Sequence, residues 1–127
     1  MTDKASIRSV IEWLEKANGP DRMIDVDIAF AVGLKYRADP LDWGWLTPHW
    51  SDGFGWTGHL PEYTASVDAA IVLTKRILPG YGWRVGKYAA FVWSEDAHYR
   101  IEVEDAATPA INLLLALFKA LLAKEGE

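Results

Sequence analysis

The chain contains no cysteine and only three histidines among its 127 residues. It therefore has no disulfide framework, no thiol nucleophile and no cysteine-ligated zinc site. Basic residues are also in deficit, with 13 Lys and Arg against 18 Asp and Glu and a formal net charge of -5. This balance argues against non-specific nucleic-acid binding, which needs a surplus of positive charge.

Long apolar runs are missing as well. The most apolar stretch, residues 110–123, is interrupted by Asn112 and Lys119 and is shorter than the roughly 20 residues that span a bilayer. The first residues lack the basic region and apolar stretch of a signal peptide. We therefore expect a cytoplasmic protein that makes no contact with a membrane.

The composition that remains suits one globular domain over residues 1–127, because 50% of the residues are hydrophobic and 24% are charged. Apolar spacing and capping residues predict four helices: between Ser6 and Gly19, over 21–32, from Ser66 (or Thr64) to Pro79, and from Thr108 and Pro109 onward. The second segment also alternates as a strand would. The broad apolar stripe of the last helix indicates a helix packed deep in the core or shared with a second subunit.

Three short strands are predicted over residues 82–85, 88–93 and 98–103, with a hairpin turn at Gly86-Lys87. Residues 88–93 are apolar on both faces, which is typical of a strand covered on both sides. The predicted fold class is α+β, an alpha-beta-alpha sandwich in which helices flank a small antiparallel sheet of about three strands.

A long aromatic loop is predicted over residues 37–62, since three prolines and four glycines exclude a long helix or a long central strand there. It carries four of the seven tryptophans, namely Trp43, Trp45, Trp50 and Trp56. Three interpretations stay open for them: completion of the core, an oligomer interface, or a surface on which a flat ligand such as a nucleobase stacks.

Charge separates this loop from the strands that follow. Residues 38–62 contain four acidic residues and no Lys or Arg, so the loop alone would repel a phosphate. Arg84 and Arg100 lie on predicted strands and can share one face of the sheet, where an arginine pair offers bidentate contacts to phosphate or carboxylate.

No catalytic signal is strong. His49, Ser51, Asp52 and His59 lie close in sequence, but neither a nucleophile elbow nor a metal-ligand spacing is present. The glycines around Gly80 follow a helix and open a hairpin, which is the wrong context for a dinucleotide fingerprint. The acidic pairs Asp25/Asp27 and Glu102/Glu104 would share a strand face and are expected to be solvated. We therefore expect a protein that is not an enzyme and has no cofactor or metal.

Residues 63–70, 78–85 and 107–110 with the helix that follows resemble the phage ABA-sandwich domain family, and residues 19–33 are similar to a helix that often precedes it. Members are small phage and prophage proteins with an alpha-beta-alpha layered fold. The resemblance implies a phage-derived accessory protein in a bacterial host cytoplasm and implies no reaction.

Two functions are consistent with these observations. The first is a counter-defence sponge that sequesters a nucleotide-like signal, with Trp43, Trp45, Trp50 and Trp56 stacking on the base and Arg84 and Arg100 meeting the phosphates. The second is a protein–protein interaction or homo-oligomeric module, in which the Trp-rich loop and the C-terminal helix form the interface. A homo-oligomer is expected, although the second function could also involve a different protein partner.

Overall fold

A computed structural model describes residues 4–40, 46–51, 56–57, 60–94 and 100–124, with the backbone alone over 35–40, 46–51 and 56–57. The elements in chain order are α1 (Lys4–Lys16), α2 (Arg22–Ala31), β1 (Lys35–Pro40), β2 (Leu46–Ser51), β3 (Trp56–Thr57), α3 (Val67–Ile77), β4 (Gly82–Val85), β5 (Ala89–Trp93), β6 (Arg100–Glu104) and α4 (Pro109–Lys124). The predicted α+β class, with helices flanking an antiparallel three-stranded sheet, is confirmed.

The second predicted segment is a helix and not a strand, because both of its ends are capped. The Asp21 side chain accepts hydrogen bonds from the backbone N–H groups of Met23 and Ile24, which have no partner within the helix. At the other end Gly33 adopts φ 88°, and the Leu34 N–H donates to the Ala29 carbonyl over 2.9 Å. This is the Schellman ending that glycine favours.

The other predicted helix starts hold in two cases out of three. Ser66 caps α3 by accepting from the Ala69 N–H at 3.1 Å, and Thr108 caps α4 by accepting from the Ile111 N–H at 3.1 Å. Helix α1 differs, since it begins at Lys4 and not at a Ser6 cap. Its apolar stripe of Ile7, Val10 and Leu14 is buried as the spacing predicts.

Strands β4, β5 and β6 form one antiparallel sheet with β5 in the middle. Helix α4 contacts all three strands, while α1 and α3 contact α4. Its residues from Ala110 to Phe118 are all buried, so its wide apolar surface is covered by the chain's own elements. Of the two interpretations of that helix, deep packing within the domain accounts for the burial without a second subunit.

The segment predicted as a long aromatic loop contains a second antiparallel sheet, β1–β2–β3. The prolines are compatible with it because of where they fall. Pro40 ends β1. Pro48 pairs with Ala38 on β1 and, among the described strands, has no partner on its other side, because β3 pairs only with Trp50 and Ser51 of β2. A proline without a backbone donor is tolerated on such an open side.

Candidate functional site

The sheet β4–β5–β6 has a core face and an outer face that alternate along each strand. Ala90, Val92 and Val103 are buried on the core face toward α4. The outer face consists of the alternate residues, namely Gly82, Arg84, Ala89, Phe91, Trp93, Arg100, Glu102 and Glu104. Arg84 and Arg100 therefore share one sheet face, on the two edge strands and on either side of β5.

An arginine pair flanks one aromatic ring on the outer face. Phe91 is the register partner of Arg84 on β4 and of Glu102 on β6. The Arg100 guanidinium lies over the Phe91 ring, with Cζ 5.0 Å from the ring centroid, which is within cation–π range. Both arginines are exposed, and within the described ranges neither forms an ion pair with a carboxylate.

The Trp93 indole packs closely against a glycine of the neighbouring strand. It is the register partner of Gly82, and a Cβ added to Gly82 would overlap the Trp93 indole ring. Glycine is therefore required there for the close approach of the ring to the backbone. Strand β4 lies against one side of the Trp93 indole. Because Trp93 is half-buried, part of its side chain remains accessible to solvent.

Two carboxylates complete the outer face on β6. Glu102 and Glu104 are both exposed and point to the same side of the strand. A hydrogen bond from the Glu104 carboxyl to Glu102 raises the pKa of Glu104, and the negative charge of Glu102 adds to the effect. These two acids do form the shared-face pair that their spacing predicts.

The pair Asp25/Asp27 does not, because both residues lie on a helix. Asp27 is exposed, whereas Asp25 is buried and accepts three hydrogen bonds: from the Thr64 N–H at 2.8 Å, the Thr64 hydroxyl at 2.8 Å and Arg22 at 2.9 Å. Arg22 also donates to the Leu60 carbonyl at 3.0 Å. Every buried side-chain polar atom in the described ranges has a partner, so this cluster anchors the chain at 60–64 to α2 and offers no free group for chemistry.

Of the four predicted tryptophans, the structure describes the backbone of Trp50 and Trp56. Trp43 and Trp45 lie outside the described residues. Trp50 pairs with Thr57 and Trp56 pairs with Ser51 in the backbone register of β2 and β3. Of the six residues predicted to bind the ligand, the structure therefore describes the side chains of Arg84 and Arg100.

The catalytic candidates fall mostly in the same region. Asp52 and His59 lie outside the described residues, and His49 and Ser51 are paired in β2 with Arg37 and Lys35. Among the residues that the structure describes, no group of three His, Asp or Glu side chains is placed to hold a metal ion.

Phe91 and Trp93 are the site residues that the sequence does not single out. Their strand is apolar on both faces and therefore predicts cover on both sides, but these two residues remain half-buried on the outer face. The available signal was the combination of an aromatic pair at i, i+2 with an arginine on each neighbouring strand.

No family model, curated protein or solved structure matches the chain. None of the described helices has the length and apolarity needed to cross a bilayer.

Proposed function

We propose that this protein is a non-enzymatic binding protein that holds a flat, anionic, nucleotide-like ligand on the outer face of the β4–β5–β6 sheet. The observation that carries the proposal is the placement of Arg84 and Arg100 on one face, with Arg84 opposite Phe91 on β4 and the Arg100 guanidinium reaching over the Phe91 ring from β6. The two guanidinium groups lie beside one ring, while the carboxylates of Glu102 and Glu104 on the same face balance their formal charge, so an anion would be held by direct contacts with the guanidinium groups. Charge-assisted bidentate hydrogen bonds to phosphate are the contacts that such groups make best.

The size of the outer face favours a small ligand over a protein partner. Three strands about 4.8 Å apart and five residues long give a face of about 14 by 17 Å, or about 240 Å². A stable protein interface buries about 800 Å² on each partner, so this face alone is too small even if side-chain relief doubles its area. A single nucleotide matches it in extent.

The proposal includes a biological role, the sequestration of a nucleotide-like host signal. A phage-derived protein of the ABA-sandwich type that sequesters a nucleotide-like host signal would need a site of this kind and no catalytic group. The four tryptophans of residues 37–62 would add stacking surface, since base–aromatic stacking contributes about 1–3 kcal/mol per base. The bacterial cytoplasm would be its place of action.

The first test is whether the protein carries such a ligand. The protein is purified from a bacterial host, unfolded, and the released small molecules are identified by mass spectrometry beside native mass spectrometry of the intact protein. A stoichiometric nucleotide or other flat anion is the expected result. A protein that is empty and that binds no member of a nucleotide panel by calorimetry would contradict the proposal.

The second test concerns the arginine pair. Hydrogen bonds to charged groups contribute about 1.5–3 kcal/mol each, so Arg84→Gln with Arg100→Gln should weaken binding by about 100-fold or more. The matched control is Lys4→Gln with Lys16→Gln on α1, which removes the same charge from a different element. Equal losses in both double variants would mean that net charge matters and the outer face does not.

A further inference from the structure

We infer that Trp93, seated on Gly82, is the stacking platform for the base, and that the outer face fits one nucleoside monophosphate unit. The inference rests on the proposed function and names the ligand class and two residues that the sequence prediction did not include. It is carried by two contacts of the outer face: the indole of Trp93 against Gly82, and the guanidinium of Arg100 over Phe91.

The two aromatic residues of β5 have different surroundings. The Phe91 ring is already covered by the Arg100 guanidinium at 5.0 Å, and Arg84 is its register partner on the other side. Phe91 therefore marks the position of the positive charge and is not open for stacking. Trp93 has Gly82 of β4 beside it and Arg100 as its register partner on β6. Within the described ranges no cation lies over its ring, and its side chain is partly exposed.

The spacing of the two positions sets the size of the ligand. Phe91 and Trp93 are two residues apart on one strand, which places the anion position and the ring about 6.8 Å apart. One pentose ring joins a base to its 5′-phosphate over a separation of this kind. A base stacked on Trp93 thus puts its phosphoryl group within reach of the arginine pair, whereas an inorganic anion would use only the arginine half.

Glycine at position 82 lets the Trp93 indole be held in place before a ligand binds. Because the indole rests on the backbone of β4, its orientation is fixed before a base arrives, and little side-chain freedom is lost on binding. A methyl group at position 82 would displace the ring without removing it. The chain offers a matched control in Gly86, where an added Cβ would meet only the Ala89 carbonyl oxygen at an ordinary 3.6 Å.

The experiment measures the affinity of AMP, GMP, CMP and UMP, with ribose 5-phosphate as a probe that has the phosphate and lacks the base. Loss of one stacked base should weaken monophosphate binding by about 5- to 150-fold in Trp93→Leu and in Gly82→Ala. Ribose 5-phosphate binding should stay unchanged in both, and Gly86→Ala should bind every probe as the wild type does. In ¹H–¹⁵N spectra the indole signal that Trp93→Leu removes should shift with AMP and not with ribose 5-phosphate.

The outcomes separate this inference from the proposed function. If Trp93→Leu and Gly82→Ala are folded by circular dichroism and bind AMP as tightly as the wild type, while the arginine double variant loses binding, the stacking assignment is wrong and the proposed function stands. If no monophosphate binds the wild type at millimolar concentration, both are overturned.

Discussion

A buried carboxylate on α2, Asp25, is expected to have a large effect on stability. Asp25 accepts hydrogen bonds from the backbone and hydroxyl of Thr64 and from Arg22, and Asp25→Ala would leave the buried Thr64 N–H without its acceptor and the hydroxyl with only the Asp21 carbonyl at 3.2 Å. We expect the free energy of unfolding to fall by about 3 kcal/mol, measured by urea denaturation. Asp27→Ala on the exposed side of the same helix should change it by less than about 0.5 kcal/mol. Similar losses in both variants would contradict the anchoring role of Asp25.

The acidic pair on β6 predicts a pH dependence. The pKa of Glu104 is raised above its ordinary value of 4.5 by Glu102, so the folded protein binds this proton more tightly than the unfolded chain does. The stability linked to this proton is present below pH 4.5 and is lost as the pH rises through the higher folded pKa. Glu104→Gln should therefore be slightly more stable than the wild type at neutral pH, and the difference should vanish below pH 4.5.

Urea denaturation at neutral pH and below pH 4.5 measures this effect. Glu12→Gln on the exposed side of α1 is the control, because it removes one acid from a different element. A constant difference between Glu104→Gln and the wild type at both pH values would mean that the shared proton does not contribute.

Individual residues differ in how far the sequence could place them. Arg84 and Arg100 could be placed on strands by alternation, and the register then brings them to one face. The burial of Asp25 follows only when the helical period is chosen, since Ile24, Ile28 and Ala29 then share its side of α2. The contact between Trp93 and Gly82 depends on which residues pair across the β4–β5 hairpin, and the composition of the chain does not determine this register.

At the scale of elements, α4 is the part on which the core depends. Leu114 is fully buried in the helix that contacts β4, β5, β6, α1 and α3. Leu114→Ala removes three carbon atoms from this position and should lower the free energy of unfolding by about 3 kcal/mol. Val72→Ala, at a side chain 56% exposed on α3, should cost less than about 0.5 kcal/mol. A loss for Leu114→Ala as small as that for Val72→Ala would show that α4 is not the centre of the core.

The helices were predictable because their ends carry local chemistry. Ser66 and Thr108 accept the hydrogen bonds predicted for caps, and Gly33 ends α2 with a positive φ as predicted. Asp21 caps α2 without having been predicted, and the predicted Ser6 cap was wrong because α1 begins at Lys4. Strands β1 and β2 were not, since prolines and glycines signal irregular chain and the pairing of Ala38 with Pro48 is settled only by neighbours distant in sequence. Strong local signals fix helix ends, and non-local pairing fixes strands.

At the scale of the whole molecule, the expected homo-oligomer needs an interface that the described surfaces do not readily supply. The apolar surface of α4 is covered within the chain, and the outer face of the sheet is smaller than a stable interface requires. Exposed apolar side chains remain on the helices, such as Trp13 on α1 and Met23 and Phe30 on α2, and the tryptophan-rich segment 37–62, which includes Trp45, adds further aromatic residues. If copies associate, that segment is where aromatic contact energy of the kind found at interface centres would come from.

Light scattering coupled to size exclusion tests this for the wild type and Trp45→Ala. We expect a homo-oligomer for the wild type and a smaller species for Trp45→Ala, because truncation of one central aromatic residue commonly weakens an interface by about 2 kcal/mol or more. An unchanged affinity for AMP in this smaller species would place Trp45 at the interface and outside the stacking surface proposed for residues 37–62. An unchanged oligomer with lost AMP binding would instead assign Trp45 to the ligand site and make residues 37–62 part of the binding surface.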